Sequence, residues 1–126
     1  MGKIAIKTVA DCEAVIASPP ATDEEWQDLL VAHGLWNMSL EDLQARLADK
    51  VSRKAITDED LQEYELFDGG AAKLRLSKKY KEEPEETRQA EIDAAFQMEY
   101  DSVKRKSLVY QIEIAAAQKA IELKTV

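Results

Sequence analysis

His33 and Cys12 are the only residues of their kinds in this 126-residue chain, so thiol, imidazole or soft-metal chemistry would have to start from them. A nucleophile needs a base beside it, and a zinc-type centre needs three or four nitrogen or sulfur ligands. One histidine and one cysteine fall short of the metal set, and they make a nucleophile–base pair only if the fold brings them together. His33 follows Trp26, Leu29 and Leu30 on an apolar helical face and precedes Gly34, which suits a C-terminal helix residue favoured by the helix dipole. Cys12 falls in line with Val9 and Ile16 and suits small core filler. A lone cysteine also excludes an intramolecular disulfide.

Carboxylates are the other chemical resource. Asp58, Glu59, Asp60 and Glu63 are clustered, but a calcium loop wants oxygen ligands at alternate positions, a central glycine and a terminal glutamate. Leu61 and Tyr64 interrupt that pattern, and Gly69-Gly70 comes too late. The acids instead suit the first turn of a helix. Gly69-Gly70 lacks the lysine and hydroxyl residue of a phosphate-binding loop and reads as a helix cap and turn. A helix-turn-helix over Trp26–Leu47 would aim Glu41 and Asp42 at phosphates, which repels them. The expectation is a protein with no catalytic set, no cofactor and no metal.

Charge is unevenly distributed. The net charge is −8. Residues 8–68 carry fifteen acids and four bases, whereas residues 69–81 carry Lys73, Arg75, Lys78, Lys79 and Lys81 with no acid. The overall balance argues against broad nucleic-acid binding, which takes clustered bases. The basic stretch, with Lys104–Lys106 and Tyr80 available to stack, is the one place where single strands could bind. No apolar run approaches the ~20 residues that span a bilayer. The opening Met1-Gly2-Lys3-Ile4 does not begin a signal peptide, so a cytoplasmic location is expected, or assembly there into a particle.

The elements that must position these residues are helices. Residues 3–7 alternate briefly and could be extended. Thr8 opens a helix that Ser18-Pro19-Pro20 stops. Thr22-Asp-Glu-Glu, Ser39-Leu-Glu-Asp and Thr57-Asp-Glu-Asp each combine a hydroxyl cap with a carboxylate three residues on, which predicts three further helix starts. Gly34 is expected to end the first of them in the left-handed region. Residues 71–84 form a basic connector, either helical or extended. From Glu85 to Lys124 there is neither proline nor glycine, which predicts one long helix, the alternative being a break near Lys104–Ser107 that folds it into a hairpin. The fold class is therefore all-α, with a helical bundle over 1–70, the connector, and the long helix over 85–126, together one compact unit.

The long helix carries a heptad seam. Phe96, Val103, Tyr110 and Ala117 interleave with Tyr100, Ser107, Ile114 and Ile121 at 4-3-4-3 spacing. Forty residues make a helix of roughly 60 Å, which would overhang a compact globule of this size by several turns. The seam would then need a protein partner or a second copy. Phe96, Tyr100, Val103, Tyr110, Ile114 and Ile121 are the expected partner-binding residues, with Trp36 as an exposed anchor or a loop plug. The function expected is a non-enzymatic helical interaction or assembly protein, a subunit or adaptor of a bacterial or phage complex. The alternative is an acidic inhibitor that occupies a nucleic-acid site on another protein.

Overall fold

A computed structural model describes residues 7–125, all of whose regular structure is helical. The extended stretch expected at 3–7 lies, save for Lys7, outside the described residues. Five helices follow one another: α1 (Val9–Ala17), α2 (Asp23–Ala32), α3 (Leu40–Glu65), α4 (Gly70–Lys79) and α5 (Glu85–Lys124). The first three begin as their caps dictate. Thr8 accepts from the Asp11 amide while the Asp11 carboxylate accepts from the Thr8 amide, a closed capping box. Thr22 and Ser39 accept from the amides of Glu25 and Asp42. Glu25 reaches one residue further back than its box predicts, to the Ala21 amide. Gly34 takes φ 77° beyond α2, as the left-handed cap requires.

The third predicted start is corrected. Thr57 lies inside α3, which runs unbroken for 26 residues. Its hydroxyl donates to the carbonyl of Arg53, one turn back, instead of capping a new helix. No glycine or proline interrupts 40–65, and Leu43, Thr57, Leu61 and Tyr64 all bury on one side. Continuous burial against a neighbour outweighs a local capping signal. The connector resolves as helix α4, which buries Ala72 and Leu76.

The long helix is continuous over 40 residues. Its expected overhang is not found, because the premise of a sphere fails. The chain folds as a rod, with α5 as its spine and α3 antiparallel beside it. Tyr64 meets Phe96 and Tyr100 near one end, Asp58 meets Ser107, Lys50 meets Glu113, and Met38 meets Lys124 at the other end. The accessible surface of 8424 Å² exceeds the ~6,800 Å² of a compact protein of this mass. Along the rod α4, α1 and α2 lean on successive stretches of α5. The core is correspondingly segmented: Leu30, Leu35 and Leu43 pack with Ala117 and Ala120 at the α2 end, while Leu76 and Ile92 are buried at the α4 end.

Candidate interaction surface

The seam of α5 is where sequence places the site. Its residues are half-buried within the chain. The Phe96 ring lies 5.5 Å from that of Tyr64, and Tyr100 donates its hydroxyl to Glu65 at 2.7 Å. Lys50 sits over the Tyr110 ring at 5.6 Å. Ile121 and Trp36 both pack on the cluster around Leu30 and Leu43. Trp36 is thus a loop plug, with the Lys124 ammonium 5.6 Å above its ring. Val103 and Ile114 are likewise half-buried on α5. The expectation that this seam lacks a covering element is corrected: α3 provides one, because it is long enough to run beside the seam.

Ser107, the polar interruption of the heptads, acquires a role here. It is buried, and its hydroxyl donates to Asp58 at 2.5 Å, while Lys54 approaches the second oxygen of the same carboxylate at 2.7 Å. A polar pair at one level of an otherwise apolar seam fixes the register of two helices. Burial pushes the Asp58 carboxyl up, but the hydrogen bonds from Lys54 and Ser107 prevail and hold it below the ordinary range. The Glu99 carboxyl is lowered mainly by Arg75, burial opposing, with Tyr64 adding a hydrogen bond. Groups of depressed pKa stabilise the fold above their unfolded value, and that stability is lost as pH falls through the folded value. Acid unfolding is therefore expected to set in as pH drops through the carboxylate range. D58N should flatten that acid limb, and S107A should cost about 1 kcal/mol at neutral pH, read from urea midpoints at several pH values. An acid limb identical in D58N and the parent would refute the assignment.

A different feature escapes sequence reading. Between α3 and α4 the backbone makes a left-handed turn in which Phe67 and Asp68 both take φ 54° and Gly69 takes φ 77°. The glycine adopts this freely, but a phenylalanine there costs about 1–2 kcal/mol. The turn holds the Phe67 side chain 91% exposed. Gly69 is buried against Phe96, so the turn is pinned from beneath while its apex faces solvent. The sequence signal was Asp68-Gly69, two residue types that tolerate left-handed backbone, directly after an aromatic. F67G should stabilise the fold by about 1 kcal/mol in chemical denaturation, since it removes strain and buries nothing less. A destabilised F67G would mean that the ring serves the chain's own packing.

Helix α4 continues this surface. Arg75 is tied inward, at 2.7 Å from Glu99 and 3.3 Å from the Tyr64 hydroxyl. Lys73 lies over the Phe96 ring at 5.2 Å and Lys79 over Tyr80 at 5.5 Å, and neither these nor Lys78 and Lys81 form an ion pair within the described residues. Lys104 pairs with Glu65 at 3.6 Å, so the two basic stretches do not merge into one uncommitted strip.

The residues first weighed for chemistry lie apart. His33 is the exposed C-cap of α2. Cys12 is fully buried, and burial pushes its thiol up against the pull of Arg105. Among the described residues, no three His, Cys, Asp or Glu side chains converge to hold a metal ion. Two open clefts flank α5, one lined by Tyr80, Ala94, Ala95 and Met98, the other by Thr8, Val9, Ser102 and Arg105. None of the described helices is long and apolar enough to cross a membrane. Comparison with family models, curated proteins and solved structures finds no match to this chain.

Proposed function

We propose that this is a non-enzymatic helical interaction protein, a subunit or adaptor of a larger bacterial or phage complex, working in the cytoplasm or in a particle assembled there. The docking feature moves from the seam of α5, now occupied by α3, to the turn between α3 and α4. One observation carries this reading: the Phe67 side chain stands 91% exposed on backbone that disfavours it. Strain that persists at a solvent-facing aromatic points to use of that ring outside the chain. Large aromatics at exposed positions are the common anchors of protein interfaces.

A photoreactive phenylalanine analogue at position 67 of the whole chain tests this, with the same probe at exposed Gln111 on α5 as control. Irradiation in an extract of the source organism should give a protein adduct at 67 and not at 111. Absence of any protein adduct at 67 would sink the proposal.

A further inference from the structure

We draw no further inference here: the strongest candidate, the apolar patch that Leu66, Phe67 and Leu74 expose around the turn between α3 and α4, belongs to the surface already described, and nothing in the structure shows what covers it.

Discussion

Replacing Gly69 with alanine is expected to destabilise the fold by about 2–4 kcal/mol, through two costs that a second glycine separates. Both Gly69 and Gly34 have φ 77°, so alanine meets the same left-handed penalty of about 1 kcal/mol at either site. Their surroundings differ. A Cβ at Gly34 would meet nothing within 4 Å. A Cβ at Gly69 would fall 2.4 Å from Cε2 and 2.6 Å from Cζ of Phe96, and 3.1 Å from the Tyr64 carbonyl oxygen. The phenyl ring must move, yet it is packed between Tyr64 and Tyr100, and the Tyr64 carbonyl belongs to the backbone of α3. Overpacking of that kind costs about 1–3 kcal/mol beyond the strain. Urea midpoints should therefore fall in the order exposed-site control, G34A, G69A, with G69A below G34A by the equivalent of about 1–3 kcal/mol. Equal losses would mean that Phe96 yields freely and that the turn is not pinned from beneath.

The contrast between the glycines bears on what sequence could show. Thr8, Thr22 and Ser39 announced their helices because capping is local chemistry, settled by residues three apart. The continuity of α5 was legible for a similar reason: nothing in 85–124 breaks a helix. Thr57 misled because the same local signal sits within a face buried by α5, and only the tertiary partner decides which hydrogen bond its hydroxyl makes. The heptads of α5 reported a seam and not whose helix fills it. Antiparallel pairing with α3 of the same chain and association with another chain impose one pattern. What sequence lacked was the true length of α3, and splitting it at Thr57 removed the element able to cover the seam. Phe67 was hidden for a different reason. Its spacing fits the apolar side of α3 that holds Leu61 and Tyr64, and its exposure follows from three successive left-handed residues that periodicity does not encode. The candidate surface was therefore invisible in outline, although the lysines of α4 stood out in the charge distribution.

Leu43 to alanine is expected to be the costliest single truncation, at about 3–4 kcal/mol or a fall of order 10 °C in the thermal midpoint. Leu43 is fully buried, and its neighbours come from three separate pieces of chain: Leu30 on α2, Leu35 in the following loop, and Ala117 and Ala120 on α5. The alanines have no side chain to swing into the void, and Leu30 is itself fully enclosed. Half-buried side chains packed against the cluster, Met38, Leu47, Ile121 and Leu123 among them, can relax toward it, which keeps the cost below the top of the known range. Leu76, also fully buried, lies at the other end of the rod, where α4 rests on the first turns of α5. No side chain of the Leu43 cluster reaches that end, so the two are joined through the lengths of α3 and α5 alone. If the polar level at Asp58 and Ser107 transmits register along the rod, L43A and L76A should each lower one common unfolding transition with unchanged denaturant slope. Amide exchange in α4 would then accelerate in L43A as much as in α2. Faster exchange confined to α2 and the first turns of α3 would show instead that the rod comes apart in segments. The Phe67 turn would then be supported by α4, Tyr64 and Phe96 without help from the distant core.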